Sequence, residues 1–385
     1  MADSLRRLGT ETAFSVLARA KELERAGKDV IHLEIGEPDF PTPLHICEAA
    51  AAALRAGETH YCPSAGIPEF REAAAEYLAR TREIEVDAAE VLIGTGAKPF
   101  LFFTILATCN PGDEVVYPDP GFPIYESAIR WAGATPVPLP LREELDFVFD
   151  VDELAARLGA KTKLVILNSP QNPTGGLVAR REIAETAAIL AESSAWILSD
   201  EIYSQMVYED EFASVASHAG LAERTIVLDG LSKTYAMTGW RCGFAAVPKD
   251  LVDPLVRFFV NSTSCVPPFV QLAGIAALTG PQDETRAMLD EFRRRRDLIV
   301  AGLNDLPGVS CRMPRGAFYA FPNVSRVPLP AEELAERLLT EAGVAVLAGS
   351  AFGAVGKDNL RLSYANSTAN LEEAIARMRR LLDSL

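Results

Sequence analysis

The sequence predicts an α/β protein with three αβα layers, in which helices cover both faces of a mostly parallel sheet and a smaller α+β domain follows. Three observations indicate this fold. From about residue 90 to residue 247, short apolar runs alternate with helical stretches, as in strands that are buried on both faces. The composition changes near residue 283, where a long charged helix begins. The chain has 385 residues, 49% of them hydrophobic, which is enough for two or three domains.

The predicted sheet is built from short apolar segments, each followed by a polar, aromatic or glycine-rich loop. The segments are Val91–Ile93, Glu114–Tyr117, Leu164–Leu167, Trp196–Ser199, Thr225–Leu228 and Phe244–Val247. Ligands of open α/β sheets bind beyond the carboxyl ends of the strands. The loops that follow these segments are therefore the first place to look for a functional site.

Two regions flank the sheet. The first contains a predicted helix from Ala13 to Ala26 and a short strand from Val30 to Ile35. The second begins at the charged helix and contains two further helices and short strands. We predict an N-terminal segment, 1–40, that packs with a small C-terminal domain, 283–385, and a large domain, 41–282, between them.

Charge and cysteine usage exclude several classes of function. The net charge of −16 argues against a nucleic-acid partner, and the basic run Arg293–Arg296 is interpreted as a solvated helix face. The six cysteines and four histidines are scattered, so neither a disulfide framework nor a metal site is expected. The uncharged stretch 258–282 contains prolines and asparagine, which favours a buried loop and a helix over a membrane span. The start of the sequence lacks the apolar core of a signal peptide, and we expect a cytoplasmic protein.

A lysine and an arginine follow the apolar segment Thr225–Leu228. Lys233 stands where the predicted strand gives way to a polar turn, and Arg241 comes eight positions later. A lysine desolvated at such an edge loses charge and becomes a nucleophile, whereas arginine stays charged and binds phosphate. An amine for a Schiff base beside an anchor for phosphate is what pyridoxal phosphate (PLP) requires. A solvated lysine and a salt-bridged arginine remain an alternative from these two residues alone.

Other strand ends carry groups that suit the same cofactor. Asp200 ends a buried strand, where a carboxylate needs a cation such as a protonated pyridine nitrogen; its alternative is a helix N-cap. Tyr203 and Asn172 could donate hydrogen bonds to the phenolate oxygen of the ring, or be ordinary loop residues. Arg361 follows a strand of the small domain and could bind a substrate carboxylate or form an interdomain salt bridge.

A glycine turn and an aromatic residue complete the predicted site. Gly96, Ala97 and Lys98 open a helix after a strand, so backbone N–H groups and the helix dipole point at an anion. Phe122 could stack on the cofactor ring or be a core aromatic residue.

In order and spacing, these stretches resemble the class I/II aminotransferases of the aspartate aminotransferase superfamily, which are fold-type I PLP enzymes. The similarity covers essentially the whole chain. The matching segments are Ile35–Phe40, His60–Tyr61, Gly96–Lys98, Asn168–Gly175, Asp200–Tyr203, Ser232–Arg241 and Asn359–Ser363.

The resemblance implies roles for individual residues. Lys233 would form the Schiff base and move the proton, Asp200 would pair with the pyridine nitrogen, and Tyr203 with Asn172 would bond the ring oxygen. The phosphate would be held by Gly96, Ala97, Lys98, Ser232 and Arg241, with Phe122 on the ring. The substrate carboxylate would be held by Gly36, Asn172 and Arg361. Tyr61 would reach the phosphate of the neighbouring subunit, which implies a homodimer with shared sites.

The sequence departs from the family pattern in three places. Gly230 stands where many relatives have a serine that bonds the phosphate, and the stretch 260–265 is only loosely similar to the interface loop of the best-known members. No arginine can be assigned to a second substrate carboxylate. Strict specificity for aspartate is therefore not expected.

The function predicted from the resemblance is transfer of an amino group between an α-amino acid and a 2-oxo acid. An alternative on the same scaffold is a PLP-dependent lyase or synthase, for example one acting on S-adenosylmethionine, because the same carbanion can lose a β- or γ-substituent. A second alternative is a non-catalytic PLP-binding regulator or structural dimer. The short N-terminal segment and the acidic balance disfavour a DNA-binding regulator.

Overall fold

The computed structural model describes residues 2–385 and contains thirteen β-strands. They are β1 (Ile31–His32), β2 (Val91–Gly94), β3 (Glu114–Asp119), β4 (Thr135–Arg142), β5 (Val148–Phe149), β6 (Thr162–Asn168), β7 (Trp196–Asp200), β8 (Thr225–Gly230), β9 (Gly243–Ala246), β10 (Tyr319–Ala320), β11 (Val344–Ala345), β12 (Leu347–Ala348) and β13 (Leu360–Ser363). The first strand is shorter than the predicted Val30–Ile35.

The α-helices surround these strands and are also numbered in chain order. They are α1 (Thr12–Arg25), α2 (Leu44–Ala56), α3 (Pro68–Arg82), α4 (Lys98–Thr108), α5 (Ile124–Ala132), α6 (Val151–Arg157), α7 (Arg180–Ala191), α8 (Leu231–Thr234), α9 (Lys249–Val260), α10 (Pro268–Thr279), α11 (Asp283–Asn304), α12 (Ala331–Arg337) and α13 (Thr368–Leu382). Within residues 2–385, no helix is both long and apolar enough to cross a membrane.

The largest sheet has eight strands in the order β2-β9-β8-β7-β6-β3-β4-β5. The five central strands from β8 to β4 are parallel, whereas β9 is antiparallel to both of its neighbours and β5 is antiparallel to β4. The predicted α/β class with a mostly parallel sheet is confirmed. Because β2 and β8 both run against β9, the carboxyl ends of β2, β8, β7, β6 and β3 all lie along one edge.

Alternate residues of the central strands belong to different hydrophobic clusters, one on each face of the sheet. Because both faces are buried, the sequence of each strand is a continuous apolar run. In β8, Ile226 and Leu228 pack with helices α4, α5 and α9, whereas Val227 packs with α2, α3 and α10. Leu92 and Val91 of β2 divide in the same way. The sheet is therefore covered on both faces.

Two smaller sheets lie outside the large one. One has the antiparallel order β10-β13-β12, and the other pairs β1 with β11 in parallel. The pairing of β1 with β11 brings the N-terminal segment onto the C-terminal region. It supports the predicted division into 1–40, 41–282 and 283–385, which stays a prediction.

The interpretation of the basic run Arg293–Arg296 on α11 as a solvated helix face is wrong for two of its four residues. Arg295 and Arg296 are buried, because Arg295 pairs with Asp39 and Arg296 pairs with Glu209. These partners come from distant parts of the chain, and each neutralises a guanidinium that the helix turns inward. Only part of the run faces solvent.

Candidate active site

A cavity of about 480 Å³ opens at the edge of the large sheet where the parallel strands end. Its wall is completed by the loop after β1, by the N-terminal end of α1 and by Arg361 of β13. All the predicted site residues except Gly96 and Tyr61 line this cavity. They are Gly36, Ala97, Lys98, Phe122, Asn172, Asp200, Tyr203, Ser232, Lys233, Arg241 and Arg361.

The remaining two predicted residues lie elsewhere. Gly96 has φ +89°, and a Cβ atom built on it would lie 2.5 Å from Nη2 of Arg241. Glycine therefore gives both the left-handed backbone and the space for the guanidinium. Tyr61 lies outside the cavity and is 89% exposed.

Lys233 lies on the single helical turn α8 that follows β8. Its Nζ donates a 2.5 Å hydrogen bond to the backbone carbonyl of Gly36 and lies 5.9 Å from the ring centroid of Tyr203. Burial lowers the pKa of this amine from 10.5 to about 8, because the charged form is desolvated. Glu37 opposes this effect, while the positive charge of Arg361 adds to it. A buried amine with this pKa is partly neutral at physiological pH.

Asp200 ends β7 and is buried. Its Oδ2 accepts a 2.6 Å hydrogen bond from the hydroxyl of Tyr125, and Oδ1 accepts one of 3.4 Å from the backbone N–H of Ile202. Burial raises the pKa of Asp200 to about 6, and the Tyr125 hydrogen bond opposes that rise. The residues after Asp200 form turns and not a helix, so the N-cap alternative does not apply.

Tyr203 and Arg361 both contact Tyr319, which was not among the predicted site residues. The hydroxyl of Tyr203 lies 2.7 Å from the hydroxyl of Tyr319, and the Arg361 guanidinium lies 4.8 Å from the Tyr319 ring centroid. A Cβ atom on Gly36 would lie 2.0 Å from the Tyr319 hydroxyl, so only glycine fits there. Tyr319 follows Phe318 in an apolar run, which gave no signal of its position in the site.

Arg361 is buried and faces a backbone oxygen. Its Nη2 donates to the carbonyl of Glu34, and its guanidinium also lies 5.1 Å from the ring centroid of Phe352. Within residues 2–385, its Nε has no hydrogen-bond partner. These contacts do not match the interdomain salt bridge that was the alternative for Arg361.

Asn172 also has an incomplete hydrogen-bond set. Its backbone N–H donates to Oδ1 of Asn168 at 3.1 Å, and Nδ2 of Asn168 donates to the backbone carbonyl of Asp200 at 3.0 Å. These two hydrogen bonds connect the loop after β6 to the end of β7. In the described part of the chain, the buried Oδ1 of Asn172 lacks a partner. Buried polar atoms without partners mark places that a ligand can complete.

Two further cations, Arg241 and Lys98, line the cavity beside the glycine turn. Arg241 donates to the carbonyls of Thr238 at 3.0 Å and of Thr95 at 3.4 Å, which directs its guanidinium towards the glycine turn. Lys98 is the first residue of α4, and its side chain forms an ion pair with Glu11. Its Nζ lies 5.3 Å from the ring centroid of Phe122.

Residues 28–378 of the chain match the family model described as aminotransferase class I and II.

The chain belongs to this family.

Relatives of this aminotransferase are similar over nearly their whole length. The aspartate aminotransferase of Pyrococcus abyssi is 42% identical over 359 residues, which are 92% of each chain. The aromatic-amino-acid aminotransferase 2 of Thermococcus litoralis is 39% identical, covering 96% of this chain and 95% of the relative. The crystal structure of the aspartate aminotransferase from Rhizobium meliloti has a TM-score of 0.94 at 36% identity, covering 100% of this chain and 98% of its own.

Membership of this family makes the protein a PLP-dependent transaminase. The cavity fits PLP, because it contains an amine, a buried carboxylate and a guanidinium beside a glycine turn. The partnerless Oδ1 of Asn172 agrees with a polar ligand at this place. The family assignment favours transamination over the lyase or synthase alternative.

Proposed function

We propose that this aminotransferase moves an amino group between an α-amino acid and a 2-oxo acid, with Lys233 as its covalent anchor and proton carrier. The observation that carries the proposal is the buried amine of Lys233, whose pKa is about 8, in the same cavity as Asp200 and Arg361. An amine with this pKa can both attack an aldehyde and carry a proton near neutral pH.

Bound PLP supplies an aldehyde for the amine and a protonated ring that withdraws electrons from the substrate. Lys233 would hold the cofactor and would carry the proton that leaves the α-carbon of the substrate. Asp200 would keep a negative charge opposite the ring nitrogen. Tyr203 and Asn172 would donate hydrogen bonds to the ring oxygen, and Phe122 would cover one face of the ring.

The phosphate would lie beside Arg241 and the glycine turn at residues 96–98. Arg241 would pair with it, and the hydroxyl of Ser232 would donate to it. The backbone N–H groups of Ala97 and Lys98 would also donate to the phosphate at the start of α4, where the helix dipole favours an anion. The N–H of Gly96 donates to the carbonyl of Gly94 at 2.7 Å, so Gly96 would shape the turn around the phosphate.

The substrate carboxylate would lie against Arg361, with Gly36 and Asn172 beside it. Arg361 suits this role because it is buried, its Nε is not bonded within residues 2–385, and its plane matches a carboxylate. The relatives named above carry different substrates in their names, so we propose no single donor. Of the cations that line the cavity, Lys98 is paired with Glu11, and a dicarboxylic donor would have to compete with that carboxylate.

We further propose a cytoplasmic homodimer in which Tyr61 completes the phosphate site of the neighbouring subunit. Tyr61 is 89% exposed in the single chain, so its side chain is available to a neighbouring subunit. Six free cysteines agree with a reducing compartment. Mixing Lys233→Ala with Tyr61→Ala subunits tests the shared site, because a hybrid dimer would contain one site with both residues intact. Activity in the mixture, above that of either variant, is expected; its absence would contradict sharing.

The half-reaction tests the transfer directly. Holoenzyme mixed with an amino donor and no acceptor is expected to release one equivalent of 2-oxo acid per site and then to stop. Addition of a second 2-oxo acid, such as pyruvate or 2-oxoglutarate, should restart turnover. A lyase would continue to release product without an acceptor, and that result would overturn the proposal.

A further inference from the structure

Three charged side chains are buried together near Asp200 but outside the cavity. They are Arg82 at the end of α3, Glu201 directly after β7 and Asp229 in β8, and their exposed fractions are 2%, 1% and 1%. We refer to Arg82, Glu201 and Asp229 as the Arg82 cluster. None of the three lines the cavity, so they do not contact a ligand there.

The guanidinium of Arg82 contacts both acids. Its Nε donates to Oε2 of Glu201 at 2.9 Å, and its Nη2 donates to the carboxylate of Asp229. Nη2 also donates to Oγ of Ser204 at 2.6 Å, and Nη1 donates to Oγ1 of Thr81 at 2.6 Å. These contacts use four of the five N–H groups of the arginine.

Glu201 accepts further hydrogen bonds from two serine hydroxyls. Its Oε1 accepts hydrogen bonds from Oγ of Ser199 at 2.8 Å and from Oγ of Ser214 at 2.6 Å. Asp229 accepts a 2.7 Å hydrogen bond from the backbone N–H of Gly230, and burial raises its pKa to about 6. Two carboxylates therefore share one guanidinium, and with both acids ionised the formal charges of the Arg82 cluster sum to −1.

This surplus charge acts on Asp200. Glu201 is its neighbour in the chain, and both acids of the cluster raise the pKa of Asp200. The other titratable groups that face Asp200 include Tyr125 and Tyr203, and those that face Asp229 include Tyr77 and Tyr235. These phenols are neutral, because burial raises the pKa of each. Arg82 is the only cation with which the cluster makes ion pairs in the described residues.

We propose that the Arg82 cluster is a positioning group that adds its negative charge to that of Asp200 and so keeps the ring nitrogen of bound PLP protonated. The inference rests on the proposed role of Asp200. A buried negative charge behind the carboxylate stabilises a cation in front of it, since the low dielectric of the interior screens it little. Arg82 fixes this charge at one unit, because without it one of the two buried acids would take up a proton.

Glu201→Gln tests the proposal with little change of shape. The amide oxygen can accept from Arg82, and the amide N–H groups can donate to Ser199 and Ser214, whose hydroxyls rotate to accept. One negative charge is lost. The matched control is Ser204→Ala, which removes a hydrogen bond to the same guanidinium without changing any charge.

The readout is the ¹⁵N chemical shift of the ring nitrogen in holoenzyme loaded with ¹⁵N-labelled PLP, followed against pH. In Glu201→Gln, the midpoint for loss of the ring proton should fall by about one pH unit, and the dissociation constant of PLP should rise about tenfold. Ser204→Ala should match the wild type in both measurements. Asp229→Asn removes the same charge from the other acid and should shift the midpoint in the same direction.

The outcomes separate this inference from the proposed function. If Asp200→Asn leaves the ¹⁵N shift unchanged, the role of Asp200 is wrong. If Asp200→Asn changes the shift but Glu201→Gln behaves as Ser204→Ala does, only the role of the Arg82 cluster is overturned. Failure of both Glu201→Gln and Asp229→Asn to fold would assign the cluster to stability alone and would also overturn the inference.

Discussion

The hydroxyl of Tyr125 donates a 2.6 Å hydrogen bond to Oδ2 of Asp200. The two residues are 75 positions apart. Tyr125 lies on α5, which follows β3, and Asp200 is the last residue of β7, with β6 between these two strands in the sheet. This phenol opposes the effect of burial and favours the ionised form of the carboxylate. Tyr125 therefore supports the charge that we propose for the ring nitrogen of PLP.

Tyr125→Phe should move the pH dependence of cofactor binding. Since the pKa of Asp200 is about 6 and the hydrogen bond lowers it, loss of the phenol raises that pKa, by about one unit. The carboxylate then loses its charge at a higher pH as the solution is acidified. We expect the affinity of apoenzyme for PLP to fall off between pH 5 and 8 at a higher midpoint than in the wild type. Tyr117→Phe, at a buried tyrosine of β3, is the control, and identical profiles would contradict the prediction.

Glu37→Gln should shift the pH dependence of the reaction between Lys233 and PLP in the opposite direction, to lower pH. Glu37 raises the pKa of Lys233, so its neutralisation should lower that pKa below about 8. The neutral amine is the nucleophile, and the capture rate of apoenzyme with PLP should rise with pH through the pKa of Lys233. We expect the midpoint to fall by up to about one pH unit. Glu223→Gln, at an exposed acid, should leave the midpoint in place; a Glu37→Gln curve equal to it would refute this account.

Gly96→Ala should weaken binding of the phosphate. Its Cβ would lie 2.5 Å from Nη2 of Arg241, so the guanidinium must move. We expect the dissociation constant of PLP to rise about tenfold or more, while binding of pyridoxal, which lacks phosphate, stays the same. Gly57→Ala is the matched control, because Gly57 has φ +87° but no atom within 4 Å of the added Cβ. It should cost about 1 kcal/mol of stability and leave PLP affinity unchanged. Equal effects of the two substitutions would argue against a phosphate site at Arg241.

Arg361→Lys should weaken binding of substrate and spare the cofactor. Lysine keeps the charge but loses the planar fork that suits a carboxylate. We expect KM for both the amino acid and the 2-oxo acid to rise about tenfold or more, with no change in PLP affinity. An amine substrate that lacks the carboxylate should be processed equally by both forms. An unchanged KM for the amino acid would show that Arg361 does not hold the carboxylate.

Site residues at strand ends could be predicted from the sequence, because the apolar run and the charged residue that follows it are close together in the chain. Lys233 and Asp200 each follow an apolar run. A charged residue at the end of a buried strand needs a partner of opposite charge or loses its own charge, which marks it as a candidate site residue. Tyr319 could not be found in this way, because its contact with Tyr203 joins residues 116 positions apart. The same limit applies to Arg82, which a helix pattern alone does not distinguish from a solvated arginine. Its two acids are 119 and 147 positions away.

The basic run Arg293–Arg296 on α11 is a second case in which contacts between distant residues decide burial. Charge on a helix favours a solvated face as long as only neighbours in the sequence are considered. Arg295 is buried because Asp39 pairs with it from 256 positions away, and its guanidinium lies 4.9 Å from the ring centroid of Phe40. Fold class could therefore be predicted from local patterns, whereas these buried charges depend on tertiary partners.

The most direct test of the account is to locate the covalent bond between the protein and PLP. Holoenzyme is reduced with borohydride, digested, and its peptides are analysed by mass spectrometry. We expect a pyridoxyl phosphate mass on the peptide that contains Lys233 and on no other peptide. Labelling of another lysine, such as Lys98, or full retention of cofactor without any labelled lysine, would contradict it.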